Sequence, residues 1–488
     1  MRYKSHLVSR CGIVGYSLIG SWFFLVMLMG CAVGPNFHRP LESVPAQWSG
    51  PIPSPLQHVT PSEKELTRWW TVFNDQILTS LIDRAVQSNL DLKLAEARVR
   101  QARALRGIAA SGLGPTVDAT GTYNRNQSAG SSSDRGSTGP IVNQNRAGFD
   151  ASWELDIFGG VRRGVEAANA NIQAAVENRR DVLVTLTAEV ASNYITLRDF
   201  QQRIVIASQN LKAQQHSADL TRQRFQFGFA SGLDVANADA QVATTAAQIP
   251  LLEASARQSI YNLGVLLGRD PAALVQELSP TLAIPVAPPS VPVGVPSDLL
   301  RRRPDIRSAE AGIHSATAQI GVATADLFPK FLLFGSGGYQ ATKISSWVTP
   351  AGLFWSFGPS VSWSAFDTGR IRSNIEVQEA LAEQSVIVYR QTVLGALQET
   401  ENALIASAKE QEHRKALADA VTANRKAVDL ALKLYTEGQT DFLNVLQAQR
   451  SLYATEDALV QSSGTLSTDL VALYKALGGG WDTQGKAN

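Results

Sequence analysis

The chain has 488 residues and only two thiols, Cys11 and Cys31. Two thiols furnish neither a four-cysteine zinc ribbon nor a disulfide framework. The six histidines are scattered, with no HExxH or HxH pair to seat a zinc ion. No G-x-x-x-x-G-K-[ST] occurs, so the backbone cradle and lysine of a P-loop are missing. Gly335-x-Gly337-Gly338 is a weak phosphate-loop look-alike. It falls in a strand-like run, where small residues at a bend explain it better. No nucleophile, base and orienting acid form a convincing triad. A formal charge of +1 lacks the basic surplus of a nucleic-acid binder. These observations point to no catalytic, cofactor-binding or metal site and to no nucleic-acid partner; they speak against the common metal and nucleotide enzymes without excluding every enzyme.

One residue keeps a chemical task. Arg2, Lys4 and Arg10 precede an uncharged run from Gly12 to Gly30, and Leu28-Met29-Gly30-Cys31 follows. A charged start, an apolar stretch and small residues before a cut form a secretory signal. A transmembrane anchor is the competing reading, since 19 uncharged residues nearly span a bilayer. Leu-x-Gly-Cys resembles a bacterial lipobox. That resemblance implies cleavage before Cys31 and acylation of its sulfur and new amino group. Several acyl chains make a firm anchor where one alone is marginal. Ala32 follows, not the Asp that resembles an inner-membrane retention signal, and this favours the outer membrane. Cleavage removes Cys11, so no free thiol remains in an oxidising periplasm. It also takes three of the 44 basic residues and leaves 41 against 43 acidic ones, a formal charge of −2.

The rest of the chain must be a scaffold, and it is written twice. Asp91-Leu92 with Ala95-Glu96-Ala97 matches Asp305-Ile306 with Ala309-Glu310-Ala311, 214 positions on. Ser152-Trp153 matches Ser362-Trp363, and Gly228 with Leu233, Asp234 and Val235 matches Gly438 with Leu443, Asn444 and Val445, both 210 on. Such ordered matches mean a duplication. Pro-rich stretches flank the first copy, from Pro35 to Pro61 and from Pro280 to Pro296, and read as extended segments.

Each copy carries two runs of period two. Val117, Ala119, Gly121 and Tyr123 alternate with Asp118, Thr120, Thr122 and Asn124. Phe149, Ala151, Trp153, Leu155 and Ile157 alternate with Asp150, Ser152, Glu154 and Asp156. The second copy repeats this weakly in Phe331–Tyr339 and clearly in Trp355–Trp363. Such strands face two different environments. A sandwich sheet is one solution. Segments of about ten residues with aromatic ends also fit a transmembrane barrel. Four strands cannot close, since the smallest barrels need about eight, and open edges do not survive in lipid. A membrane sheet would therefore be shared among protomers, and three copies give twelve strands. The remainder is helical. Val176, Leu183, Val190, Leu197, Ile204, Leu211, Ala218 and Phe225 lie seven apart, a coiled-coil seam. The same register 210 on carries Thr400, Ser407 and Arg414 at its centre, a polar interruption without a sequence-level reason. Return helices Leu233–Leu267 and Asp441–Leu477 follow turns at Gly228 and Gly438. A soluble helical rod is the competing reading, but a rod has no use for paired amphipathic strands.

Lipobox, strand pair, long hairpin and then all again resembles the outer-membrane efflux proteins, the TolC-like family, in its lipoprotein branch. The matching residues are Cys31 to Phe37, Trp69-Trp70 with Phe73 and Asp75, Phe149 to Gly159, Val295 to Ile306, and Gly438 with Leu443, Val445 and Ala448-Gln449-Arg450. The resemblance implies an α+β homotrimer. Its long antiparallel helical hairpins form an α-barrel, and its strands share a 12-stranded transmembrane β-barrel. It implies a passive exit duct for small molecules, lying in outer-membrane lipid. A periplasmic membrane-fusion adaptor joins the duct to an inner-membrane pump of the resistance-nodulation-division type. An outlet for type I protein secretion is the alternative, and a structural envelope lipoprotein without a pore is another.

The segments divide as a signal peptide over 1–30, an anchored arm over 31–68 and a first repeat over 69–278, with strands in 115–157 and a hairpin in 159–268. A linker over 279–296 leads to a second repeat over 297–477, with strands in 329–366 and a hairpin in 367–477, and a tail over 478–488. The resemblance also places a gate at the hairpin tips, around Gly228, Asp234, Tyr435, Gly438, Thr440, Asp441, Asn444 and Gln447. Family acidic positions fall on Asn444 and Gln447, and a family gate arginine falls on Thr440. All three are uncharged here, which leaves a charged ring open. Asp441 and Asp234 could supply partial substitutes, or Asp234 could simply cap the helix that begins at Leu233.

Overall fold

The computed structural model describes residues 32–49, 66–127, 141–286 and 294–482. The signal segment, Cys11, Cys31, arm residues 50–65, the loop 128–140, part of the Pro-rich linker and the last six residues lie outside the described residues.

The helices are α1 (Gln76–Ser88), α2 (Leu90–Ser111), α3 (Gly160–Gln226), α4 (Gly232–Leu266), α5 (Pro296–Arg302), α6 (Pro304–Ala325), α7 (Arg370–Thr436) and α8 (Phe442–Ala476). The strands are β1 (Thr116–Gln127), β2 (Ile141–Leu155), β3 (Lys330–Ala341) and β4 (Leu353–Ser362). The duplication is visible in the bounds. Leu90 and Ser111 answer to Pro304 and Ala325, 214 on, whereas Gly160, Gln226, Gly232 and Leu266 answer to Arg370, Thr436, Phe442 and Ala476, 210 on. The four-residue deficit lies in the second strand pair, whose β4 is shorter than β2.

Residues group into two compact units that do not follow the repeats. One unit draws on the described residues up to Pro40, on Arg100–Ala174 and on Ala309–Tyr389; the other takes Leu41–Val99, Ala175–Ser308 and the described residues from Arg390 on. The first unit holds the sheet, in the order β1-β2-β3-β4 with every pair antiparallel. Among the described residues β1 and β4 each pair on one side only.

The second unit has a core where the short helices meet the long ones. Asp75 caps α1 by accepting from the Leu78 amide at 2.9 Å, which satisfies one of the orphan N–H groups of a helix start. Leu78, Leu81, Ile82 and Ala85 follow at helical spacing and are wholly buried. The other oxygen of Asp75 accepts from the Tyr194 hydroxyl at 2.8 Å. Trp69, wholly buried, stacks on Tyr474 with ring centroids 5.2 Å apart. Each such aromatic or leucine contributes about 1.5–3 kcal/mol of burial.

Both long helices run unbroken for 67 residues, about 100 Å each at 1.5 Å per residue. The seam of α3 is real at its middle: Val190, Leu197 and Ala218 are wholly buried, while Phe225 is half exposed. The polar interruption in α7 now has a reason. Thr400 is wholly buried, yet its hydroxyl returns to the Ala396 carbonyl at 3.0 Å, so no polar group is stranded. Ser407 is buried too, and Arg414 lies outside the core with its Nε on the Ser463 hydroxyl at 3.0 Å. Small hydroxyl residues are buried in the seam here without a stranded donor, and the arginine tethers α7 to α8.

Candidate functional site

The register of the sheet sorts its residues into two faces. Val117 opposes Ala151, which opposes Gly335, which opposes Phe357. Ala119, Phe149, Gly337 and Trp355 form the next row, and Leu155, Phe331 and Val361 another. Directly opposed residues point to the same side of a sheet. One face is therefore apolar across all four strands. The alternate rows are mixed and more polar: they carry Asp118 with Asp150 and Ser336 with Ser356, whose hydroxyls bond at 2.8 Å, beside Leu332, Phe334 and Phe354. Phe149, Trp355, Phe357 and Val361 are each more than half exposed, so the apolar face has no cover among the described residues. At the helix end of the sheet two tryptophans are tied down in matching ways. Trp153 donates its indole N–H to the Leu113 carbonyl and Trp363 to that of Leu327, both at 3.1 Å. Tyr123, Tyr339 and Trp355 stand toward the loop end. From Phe331 to Tyr339 the apolar band runs roughly 26 Å along the strand. An apolar band of about 25 Å between aromatic girdles is the outer surface of a membrane barrel. Gly148 and Gly338 oppose each other on the polar side, and a Cβ on Gly338 would fall 2.2 Å from the Ala147 carbonyl oxygen. The Gly335–Gly338 run is thus a close strand approach inside β3.

The segment after Cys31 is docked on the same unit. Val33 donates its amide to the Phe158 carbonyl at 3.0 Å. Arg163, only 4% exposed, donates to the carbonyls of Val33 and Gly34 and to Asn36 Oδ1 at 3.1, 3.3 and 2.8 Å. Its remaining nitrogen meets Glu166 at 2.8 Å, and His314 meets the other Glu166 oxygen at 3.0 Å. Burial alone would raise the Glu166 pKa, but hydrogen bonds from Arg163 and His314 outweigh it and hold the carboxyl below its ordinary value. Phe37 stacks on His314 at 4.5 Å and Arg39 pairs with Glu310 at 2.8 Å. A buried arginine whose donors are mostly spent on one strand of backbone fixes where that strand lies. Cys31 lies outside the described residues, two positions before the fixed Val33.

The hairpin tips belong to the second unit. Both long helices end in the same Schellman turn. Gly228 (φ 78°) donates to Phe225 and Phe229 donates to Arg224; Gly438 (φ 75°) donates to Tyr435 and Gln439 donates to Leu434. Positive φ suits glycine. The return helix α4 starts with a reciprocal capping box. Asp234 accepts from Ser231 N–H at 2.9 Å, and the Ser231 hydroxyl accepts from the Asp234 amide at 3.1 Å. The cap is thus Ser231, and the helix starts one residue before Leu233. Asp234 is its partner, with its carboxylate committed locally. Asp441 stands at the N-cap of α8 without a side-chain cap bond. Asn444 donates to the Thr440 hydroxyl at 2.7 Å. Asn444 and Gln447 are exposed on one face of α8, while Leu446, between them in sequence, is buried.

Tyr435 does not face outward. It is buried with Phe442, Val445 and Leu446 against Ala218 and Ala238 of the first hairpin. Its hydroxyl reaches the Thr221 hydroxyl at 3.4 Å. Arg224, which sequence reasoning missed, lies over the Tyr435 ring with its guanidinium carbon 4.7 Å from the centroid. It also donates to the Thr436 carbonyl at 3.1 Å. This arginine joins the tip of the first hairpin to that of the second. Only the position of Tyr435, 211 residues away, could have marked it. Behind the tips a polar ladder links the hairpins. It runs through Gln449 to Ser217 at 2.8 Å, Arg450 to Gln241 at 2.5 Å, Asn210 to Glu456 at 2.9 Å and Arg203 to Asp457 at 2.8 and 3.0 Å.

A sheet with one lipid-compatible face and edges unpaired among the described residues, joined to long helical hairpins, defines an outer-membrane channel subunit rather than a soluble rod. The comparisons agree. The sequence profile described as "outer membrane efflux protein" matches residues 81–269 and 295–479. Nodulation protein T of Rhizobium leguminosarum bv. trifolii is 32% identical over 469 residues, 95% of this chain and 98% of that one. The toluene efflux pump outer membrane protein TtgC of Pseudomonas putida is 34% identical over 469 residues, 95% of each. The solved structure of the outer-membrane channel OprN is 37% identical with a TM-score of 0.86, covering 93% of this chain and all of that one. The chain belongs to the outer membrane efflux protein family, and it is an efflux channel of the outer membrane.

Proposed function

We propose that three copies close into one passive exit duct, which takes small molecules from an inner-membrane pump through a periplasmic adaptor. The observation that supports this best is the sheet. Its four strands have an apolar face, a more polar face and, among the described residues, two edges without partners. Unpaired backbone groups cost several kcal/mol each in lipid, so β1 of one copy pairs with β4 of the next until twelve strands close. The polar rows of Asp118, Asp150, Ser336 and Ser356 then line water. The duct performs no chemistry on its cargo and needs no cofactor, and the energy for export comes from the pump. Lipid on Cys31 anchors the amino terminus, and Arg163 sets where that anchor enters the membrane. The closed state rests on the tips, where Tyr435 and Arg224 hold the second hairpin against the first and the Asn444–Thr440 contact stiffens the second turn itself. Gln447 faces the opening. Phe227, Phe229 and Leu233, each about 70% exposed, give the adaptor an apolar surface on the first tip. Single-channel recording of the purified protein in a planar bilayer tests the reading, together with crosslinking of Cys pairs placed on β1 and β4. The expected result is a cation-conducting pore with intersubunit crosslinks that build a trimer ladder. A protein that inserts without conductance, or whose edge cysteines link only within one chain, overturns it.

A further inference from the structure

We propose that the outward end of each sheet carries a binding site for a phosphorylated glycolipid of the outer leaflet, an inference that rests on the barrel reading above. The apolar face does not stay apolar to its end. Beyond Tyr123 the same face of β1 carries Arg125, which opposes Asn143 on β2, and Tyr123 opposes Asn145. A band of greasy side chains thus gives way to a polar and basic rim within one row, the change a strand makes as it leaves hydrocarbon for headgroups.

Over this rim folds the connection from β3 to β4. Its two short 3₁₀ turns, Ile344–Ser346 and Pro350–Gly352, are braced by Trp347, whose indole donates to the Tyr339 carbonyl at 3.2 Å. Asn145, buried at the base, donates to the Ala341 carbonyl at 3.2 Å. The result is a recess of about 930 Å³ walled by Tyr123, Asn143, Asn145, Lys343, Ile344 and Trp347 and edged by Arg146 of the alternate rows; no carboxylate lines it, and Arg146 is engaged with Asp150 at 3.3 Å and with the Phe354 ring.

The walls supply what a phosphorylated sugar with acyl chains needs. Lys343 is a point charge suited to phosphate, and Arg125, on the rim beside the recess rather than in its wall, offers a second cation on the face of Tyr123. Tyr123 and Trp347 give ring surfaces with polar handles, as side chains at membrane interfaces do. Ile344 and Val348, 75% and 74% exposed, present apolar groups beside the basic ones. The apolar face continues below and would receive the acyl chains. A free inorganic phosphate would use the cations but not the rings or the apolar band, so the lipid is the occupant that explains all of them.

Native mass spectrometry of the full-length acylated trimer, titrated with diphosphoryl lipid A, tests this. One lipid per protomer is expected, and lipid A stripped of its phosphates should bind at least tenfold more weakly to the unaltered protein. Arg125→Gln with Lys343→Gln should lower affinity for diphosphoryl lipid A at least tenfold. Lys330→Gln, at the helix end of β3, should not. Equal binding of the two lipid A forms, an unaffected double variant, or complete displacement of lipid by millimolar inorganic phosphate would each overturn the proposal. Conductance is recorded on the same samples. A conducting trimer indifferent to phosphate groups sinks the lipid site alone, whereas a sample without conductance sinks the pore on which it stands.

Discussion

Arg224→Ala should open the channel at rest. The side chain does two things at the tips. It lies on the Tyr435 ring at 4.7 Å and donates to the Thr436 carbonyl at 3.1 Å. A partly exposed cation–π contact contributes about 0.5–1 kcal/mol, and a hydrogen bond from a charged donor about 1.5–3 kcal/mol. The bond to Thr436 is open to solvent, so the lower ends apply and the pair stabilises the closed tip by about 2 kcal/mol. If each tip moves alone, its open population rises about 30-fold. If three tips move together, the contributions add to about 6 kcal/mol and the ratio shifts about 10⁴-fold. Single-channel open probability distinguishes the cases, since independent tips give graded sublevels and coupled tips a single large step. Arg224→Lys keeps the charge but loses the planar stack and should fall between. Tyr435→Phe keeps the ring and loses only a long hydroxyl contact, so its effect should be small. If Arg224→Ala assembles normally and its resting open probability equals that of the unaltered channel, the contact does not hold the tip closed.

Cys31→Ser should leave the leader uncleaved and abolish labelling by a fatty-acid probe; label on that variant would place the lipid elsewhere. Phe357→Lys puts charge on the lipid face at a cost of about 2–4 kcal/mol near the midplane, whereas Ser360→Lys on the polar face should be tolerated, and trimer yield on semi-native gels reads the difference. Gln447→Asp should build a threefold acidic ring, raise the cation-to-anion permeability ratio and sensitise the pore to block by divalent cations; unchanged selectivity would remove position 447 from the constriction. Asp199 is pushed up to about 6 by burial, with Arg203 opposing and Asp457 adding to the shift. The folded chain therefore holds a proton that the unfolded chain, titrating near 4, gives up, so this group's contribution is most favourable below that window and is lost as pH rises through 6. Asp199→Asn should raise the melting temperature at pH 7.5, by roughly 2 kcal/mol of stability, and leave it unchanged near pH 4.

The strands and long helices were legible because each is a periodic pattern repeated in a second copy. Val117 to Tyr123 and Trp355 to Val361 alternate cleanly, and the register places both sets on one face. Fold class and family followed from order and motif. What stayed hidden was whatever depends on contacts between distant segments. The buried Thr400 looked like a flaw in the seam until its hydroxyl was seen on Ala396. Arg224 gave no local signal, because its partner ring arrives from the second repeat. Pro250 sits inside α4 without ending it, although proline removes a helix hydrogen bond; the position is exposed, where the freed carbonyl can turn to water.

The duplication itself explains why the tips can act as a gate. Two identical hairpins would bury the same residues at each tip and have no preferred order. Here position 225 is Phe and half exposed, while its counterpart 210 on, Tyr435, is 4% exposed within the tip core. The next alternate positions are Phe227 and Phe229 in the first copy but Glu437 and Gln439 in the second. The second tip has thus traded apolar exposure for a buried ring and a polar rim, and the first tip keeps its phenylalanines outward. Arg224 spans this asymmetry. It lies in the last turn of α3 and clasps the second tip through a ring that only the second copy turns inward. The clasp pairs a cation with a π-face and a carbonyl, with no carboxylate among its bonds. Neutralising acids at low pH would therefore leave it intact, so acid alone should not open this channel by breaking the clasp.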